Sequence, residues 1–68
     1  DKTEYVFTYH PPTETTIPKY NAIREAGLAF ARVIEDNAPP SADRTTAIRK
    51  IREAVMTANA AIACEGIS

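Results

Sequence analysis

The chain has 68 residues, a net charge of −1 and a single cysteine, Cys64. A chain this short forms at most one domain with a modest core, and one cysteine cannot form the internal disulfide that often stabilises such domains. The small net charge argues against a general DNA or RNA coat, because the affinity of such proteins rests on a large basic excess. We therefore predict one domain over residues 1–68 that is stabilised by assembly into a homo-oligomer.

The N-terminal segment is predicted to be an extended arm. Tyr5, Phe7 and Tyr9 alternate with other residues, and this period of two is typical of a strand. The prolines at positions 11 and 12 fix their own φ angles and disfavour helix just before them. We expect an extended arm over residues 1–12 that packs on helices or on another chain, because a lone strand is unstable.

The first helix is predicted over residues 17–36. Thr16 is the expected N-cap, and Pro18 suits the first helical turn. Apolar positions three or four apart form one stripe, made of Tyr20, Ile23, Gly27, Phe30 and Ile34. A glycine on this stripe indicates that a neighbouring helix approaches closely, since glycine in mid-helix costs about 1 kcal/mol relative to alanine.

The second helix is predicted over residues 42–63, with Ser41 as its N-cap. Its stripe repeats at spacings of three and four and consists of Arg44, Ile48, Ile51, Val55, Ala58 and Ile62. The short connection between the helices makes them antiparallel neighbours. The predicted fold is thus all-α, an antiparallel two-helix hairpin with an extended N-terminal arm. Each apolar stripe is half uncovered in such a hairpin, and another protomer is the expected cover.

Arg44 is the first candidate for a binding residue. It shares the helical angle of the apolar stripe and lies in the first helical turn, where a cation is unfavourable against the helix dipole. An anionic partner should compensate it. Either an interprotomer salt bridge or a phosphate group would serve, since the guanidinium fork fits phosphate oxygens.

The other candidates carry weaker signals. His10 is the only histidine and is held next to two prolines, and Tyr9 is able to stack on a base or to join the core. Arg24 and Arg52 lie on helix flanks, where a charged residue is usually solvated. Asn59, within an alanine-rich helix, is expected to make a structural polar contact across an interface.

The sequence does not support an enzyme. No serine or cysteine has a matching histidine and acid, and a single histidine cannot build a metal site for phosphodiester hydrolysis. With two glycines in the chain there is no glycine-rich phosphate loop. We therefore expect no catalytic residues, no metal and no cofactor.

The same residues resemble a known family, the phage cyclic-oligonucleotide sponges that counter the CBASS and Thoeris defence systems. The resemblance covers roughly residues 9–64 and is carried by five segments. These are Tyr9-His10-Pro11-Pro12, Ile23-Arg24, Pro40-Ser41 with Arg44, the run from Ile51 to Met56, and Ala58-Asn59-Ala60-Ala61-Ile62-Ala63. Many members have tryptophan where this chain has Thr57, and this difference concerns the binding of a second class of ligand more than the fold.

The resemblance implies a hexamer of helical hairpins in the cytoplasm of the infected bacterial host. It implies binding, without cleavage, of cyclic trinucleotides and also of cyclic dinucleotides or cyclic ADP-ribose isomers. His10 and Arg44 would meet the phosphates of a cyclic trinucleotide where three protomers converge, and Tyr9 and Pro11 would line that pocket. Arg24 and Arg52 are candidates for a second pocket. Neither a DNA or RNA polymer nor a membrane is implied as a partner.

Two other interpretations remain open from the residues alone. One is a helical oligomerisation or adaptor module with no nucleotide ligand, in which Arg44 forms an interface salt bridge. The other is a helix-turn-helix DNA-binding protein, which the acidic pI of about 5.7 and the long helices disfavour. The chain begins with Asp1, which is compatible with a hairpin domain of a longer protein.

Overall fold

The computed structural model describes residues 1–66. It consists of three helices, α1 (Lys2–Phe7), α2 (Ile17–Asn37) and α3 (Ala42–Ala63). Helices α2 and α3 pack side by side and are joined by residues 38–41, so they run antiparallel. No strand occurs within residues 1–66, and the arrangement is consistent with the all-α hairpin expected from the sequence.

The predicted extended arm over residues 1–12 is wrong for residues 2–7, which form α1. The side chain of Asp1 caps this helix by accepting a hydrogen bond from the backbone N–H of Glu4 at 2.9 Å. The helix ends at Thr8, whose backbone is extended. A capped first turn therefore overrides the period-two pattern, since no second strand is present in the described chain to pair with the segment.

Helix α2 extends one residue beyond the predicted end, to Asn37. Thr16 occupies the N-cap position of α2, as expected, but its side chain does not make the expected capping hydrogen bond. Its hydroxyl instead accepts a hydrogen bond from the backbone N–H of Thr13 at 2.7 Å, which closes the turn before the helix. At the other end, the side-chain amide of Asn37 donates to the Val33 carbonyl at 2.7 Å.

Helix α3 has a side-chain cap at its start and a left-handed turn after its end. The Ser41 hydroxyl accepts from the Arg44 backbone N–H at 3.1 Å, as the sequence predicted. After Ala63, Glu65 and Gly66 adopt φ angles of 52° and 80°. The Gly66 N–H then bonds the Ala61 carbonyl at 2.9 Å, which satisfies a carbonyl group of the last turn.

The two long helices meet most closely at Gly27. A Cβ atom at this position would lie 2.7 Å from Cγ2 of Val55 and 3.6 Å from Cγ2 of Ile51. The glycine on the α2 stripe therefore allows the approach of α3, as the sequence analysis expected. All members of the two stripes are partly buried except Phe30, which is 58% exposed.

The hairpin is a single layer of helices. The molecule measures 45 × 25 × 14 Å, and a layer about one helix thick leaves much of its apolar surface open. Within residues 1–66, Cys64 is the only buried residue, at 4% exposure. Large apolar side chains remain exposed, among them Leu28, Phe30, Val33 and Met56. None of the helices in residues 1–66 has the length and apolar character needed to cross a bilayer.

Candidate functional site

Arg44 lies at the closed end of the hairpin, where residues 38–41 connect α2 to α3. Its Nη1 donates to the Ala38 carbonyl at 3.3 Å, and its Nη2 lies 4.0 Å from a carboxylate oxygen of Glu35. The Arg44 side chain is 24% exposed and that of Glu35 is 50% exposed. The side chain is thus tethered to the end of α2 and still reaches the surface.

The contacts of Arg44 leave most of its hydrogen-bonding capacity unused. A guanidinium has five N–H donors, and one of them bonds the Ala38 carbonyl. An ion pair at 4.0 Å with a half-exposed carboxylate contributes at most about 1 kcal/mol and is weakened further by salt. Glu35 supplies a negative charge near the start of α3, but the geometry leaves several donors available to a second anion.

His10 is held by α1 as well as by the prolines after it. Its Nε2 lies 2.7 Å from the Tyr5 carbonyl, and because a carbonyl only accepts, Nε2 must carry the proton. The imidazole also packs against the Tyr5 ring with centroids 4.3 Å apart and planes tilted by 43°. The second ring nitrogen, Nδ1, is left for another partner. Helix α1, which the alternating pattern of the sequence does not predict, therefore positions the candidate histidine.

Tyr5 also approaches the end of α3. Partial burial raises the pKa of its phenol above the usual 10.0, and the negative charges of Glu65 and Cys64 raise it further. Val6 from α1 and His10 line one cavity together with Ala63 and Cys64 at the end of α3. The N-terminal segment is thus folded back on the open end of the hairpin.

A cavity of about 380 Å³ lies between the N-terminal segment and the hairpin. Its lining includes Tyr9 and His10 from the segment, Tyr20 from α2, and Asn59 and Cys64 from α3 and its C-cap. Tyr9 is 80% exposed and so is available for stacking. Pro11 is exposed and does not line this cavity.

Arg24 and Arg52 line a second cavity, on one side of the contact between α2 and α3. This groove has a volume of about 330 Å³, and its floor is apolar, with Leu28, Ile51 and Met56 among the lining residues. Met56 also lines the cavity that contains Tyr9 and His10. The two cavities therefore share Met56, and four of the predicted site residues line one or the other of them. We call the groove lined by Arg24 and Arg52 the arginine face.

Arg44 is remote from that set within one chain. His10 lines the same cavity as Asn59, so it lies beside that part of α3. Arg44 and Asn59 are separated by about 22 Å along the axis of α3, at 1.5 Å per residue. A single hairpin therefore cannot bring His10 and Arg44 onto one phosphate group.

Tyr20 and Met56 are not among the site residues predicted from the sequence, and Asn59 is predicted to make a polar contact across an interface. Tyr20 belongs to the apolar stripe of α2, and Met56 is an apolar residue within α3, so nothing in the sequence marks either as a site residue. Asn59 carried a visible signal, a lone amide in a run of alanines, but its surroundings depend on where the N-terminal segment folds. Within residues 1–66, no cluster of three His, Cys, Asp or Glu side chains is arranged to hold a metal ion.

Comparison with known proteins identifies the family. The sequence profile described as Acb2/Tad1, hairpin domain, matches residues 1–63, nearly the whole chain. The chain therefore belongs to the Acb2/Tad1 hairpin-domain family, the family of anti-CBASS and anti-Thoeris sponges. Its members are ligand-binding sponges rather than enzymes. No curated protein and no solved structure matches the chain.

Proposed function

We propose that this protein is a phage counter-defence sponge, which binds the cyclic oligonucleotide signals of its bacterial host and sequesters them without cleaving them. Membership in the Acb2/Tad1 family supports this role in general. The ligands would be cyclic trinucleotides, with cyclic dinucleotides or cyclic ADP-ribose isomers as a second class. Holding these signals in the cytoplasm of the infected cell would keep CBASS or Thoeris effectors inactive.

The observation that supports the proposal best is that the Arg44 side chain is held in place while most of its N–H donors lack a protein partner. Its guanidinium is fixed by the Ala38 carbonyl but keeps several donors free, and its ion pair with Glu35 is long and partly solvated. A phosphate group would bind such a pre-positioned fork through two parallel hydrogen bonds. The side chain needs no large rearrangement to do so.

The separation of His10 from Arg44 supports a site built between protomers. In a symmetric homo-oligomer, three copies of this pair would surround an axis and meet the three phosphates of a cyclic trinucleotide in equal geometry. The assembly would be the hexamer that the family resemblance implies. Tyr9 and Pro11 would line the pocket near the axis.

The arginine face is the proposed second pocket. Arg24 and Arg52 would bind the phosphates of a cyclic dinucleotide or of a cyclic ADP-ribose isomer. The apolar floor between the two arginines would exclude water from the ligand. Sequestration of this kind needs affinity and no chemistry. It also needs few basic residues per chain, so a net charge of −1 is no obstacle.

The test is calorimetry with a cyclic trinucleotide on the wild-type protein, Arg44→Glu and Arg49→Glu. Arg49 is an exposed arginine on the same helix, so its variant changes the net charge equally. We expect Arg44→Glu to abolish binding and Arg49→Glu to change it little, with the oligomer mass unchanged in both. Equal binding by wild type and Arg44→Glu would refute the site.

An alternative function is a helical oligomerisation or adaptor module without a nucleotide ligand. The exposed Phe30 and Met56 side chains favour it, since such surfaces usually contact another protein. This alternative predicts no binding of cyclic nucleotides by the wild-type chain, together with loss of the oligomer in Arg44→Glu.

A further inference from the structure

Glu35 and Arg44 each carry a charge that opposes the dipole of its own helix. Glu35 lies in the last turn of α2, where a negative charge is unfavourable, and Arg44 lies in the first turn of α3, where a positive charge is unfavourable. The two side chains meet across the connection between the helices, with Oε2 of Glu35 4.0 Å from Nη2 of Arg44. The charge of Glu35 therefore does not stabilise its own helix, and its nearby partner is Arg44.

The contact between these two side chains is an ion pair without a hydrogen bond. Within residues 1–66, the only hydrogen bond of the Arg44 guanidinium runs from Nη1 to the Ala38 carbonyl at 3.3 Å. Carboxylate and phosphate oxygens fit a guanidinium in the same way, through two parallel N–H···O bonds. Glu35 is half-exposed and offers its charge to the guanidinium without occupying those donors. A phosphate group that binds Arg44 therefore has to displace only a weakly held carboxylate.

We propose that Glu35 is a placeholder anion, which neutralises Arg44 in the ligand-free protein and competes with the ligand phosphate for the same guanidinium. This inference rests on the proposed function, in which three copies of Arg44 converge around an axis. Without a ligand, three converging guanidinium groups repel one another. The three carboxylates offset that repulsion in the ligand-free oligomer, and they repel the phosphates that take their place.

A competing carboxylate and a merely structural one have opposite effects on affinity. If Glu35 only held Arg44 in position, removing its charge would loosen the arginine and weaken binding. If Glu35 competes, removing its charge tightens binding, because the bound phosphate no longer lies beside a group of like charge. An exposed ion pair changes an equilibrium constant by up to about fivefold. A change of about threefold at each of three copies compounds to roughly tenfold or more for one cyclic trinucleotide.

The test is calorimetry with cyclic tri-adenylate on the wild-type protein, Glu35→Gln and Asp36→Asn. Asp36 is the exposed acidic neighbour of Glu35 and belongs to neither ion pair of residues 1–66, so its variant is a control with the same change in net charge. We expect Glu35→Gln to bind about tenfold more tightly or better and Asp36→Asn to bind like wild type. Without ligand, the thermal midpoint of Glu35→Gln should fall below that of Asp36→Asn, and saturating ligand should restore it.

The outcomes separate the inference from the function. Equal or weaker binding by Glu35→Gln than by a wild type that binds would overturn the competing role of Glu35 and leave the sponge intact. Equal tightening in Glu35→Gln and Asp36→Asn would overturn it in favour of a general effect of net charge. Dissociation of Glu35→Gln that the ligand does not reverse would overturn it in favour of a structural ion pair. Absence of binding by the wild type would refute the trinucleotide site itself, and this inference with it.

Discussion

At the residue scale, two side chains combine a fixed position with unused bonding capacity. Arg44 is tethered by the Ala38 carbonyl, and His10 is fixed by the Tyr5 carbonyl through Nε2. Each retains donors or a ring nitrogen for a second partner. Binding a ligand through such groups costs little side-chain entropy, because the side chains are already held in position.

The environment of Tyr5 gives a prediction about alkaline pH. Its phenol should titrate above 10.0, because partial burial and the nearby charge of Glu65 disfavour the phenolate. The folded phenol then keeps its proton to higher pH than the unfolded one. This contribution to stability is complete below pH 10.0 and is lost as the pH rises through the folded pKa.

Absorbance of tyrosinate in a Tyr9→Phe/Tyr20→Phe variant isolates Tyr5, since the chain has three tyrosines. The midpoint should lie above 10.0, and adding Glu65→Gln should lower it. A midpoint at or below 10.0 in the first variant would show that Tyr5 is not packed against the end of α3.

At the element scale, the contact between α2 and α3 depends on Gly27. Replacing it with alanine places a methyl group 2.7 Å from Cγ2 of Val55, whose β-branched side chain has little rotamer freedom in a helix. Overpacking costs about 1–3 kcal/mol, which exceeds or offsets the roughly 1 kcal/mol gained in helix propensity.

We therefore predict that Gly27→Ala lowers the free energy of unfolding by up to about 2 kcal/mol and that Val55→Ala relieves the clash. Denaturant unfolding of the two single variants and the double variant measures the coupling between the sites. Strict additivity of the two changes would contradict the close contact.

Among the elements, the sequence predicts the two long helices but not the short helix α1. Apolar residues three and four positions apart predict α2 and α3. The residue types alone predict the cap at Ser41 and the close helix approach at Gly27, and the structure has both. Helix α1 is missed because six residues are too few for a helical period, and its alternating aromatics match a strand. Arg44 and His10 are visible as chemical types. The distance between Arg44 and His10 depends on tertiary packing, and so does the meeting at Met56 of the cavities that contain Tyr9 and Arg24.

At the scale of the whole molecule, the single layer of helices leaves an apolar groove on the side of the hairpin opposite Arg24 and Arg52. Phe30, Ile34 and Ala54 are among its lining residues, and its volume is about 550 Å³. Cys64 is the only buried residue within residues 1–66, and a chain with so small a core is marginal alone, so we expect this groove to be covered by a second copy.

Phe30→Glu tests that expectation, because a charge in an apolar interface is strongly unfavourable. We expect it to dissociate the oligomer in size-exclusion chromatography with light scattering and to lower the thermal midpoint. Ala29→Glu is the control, since Ala29 is exposed and lies outside the groove. An unchanged mass for Phe30→Glu would show that the groove is not an interface.

The most direct test of the proposed function is native mass spectrometry of the protein incubated with a cyclic tri-adenylate. The sponge predicts a homo-oligomer that carries the ligand, and release by denaturation should return the ligand at its original mass. Two results would contradict the account. One is a ligand heavier by one water, which would indicate cleavage of the ring, and the other is a protein that carries no ligand under conditions where the oligomer is intact.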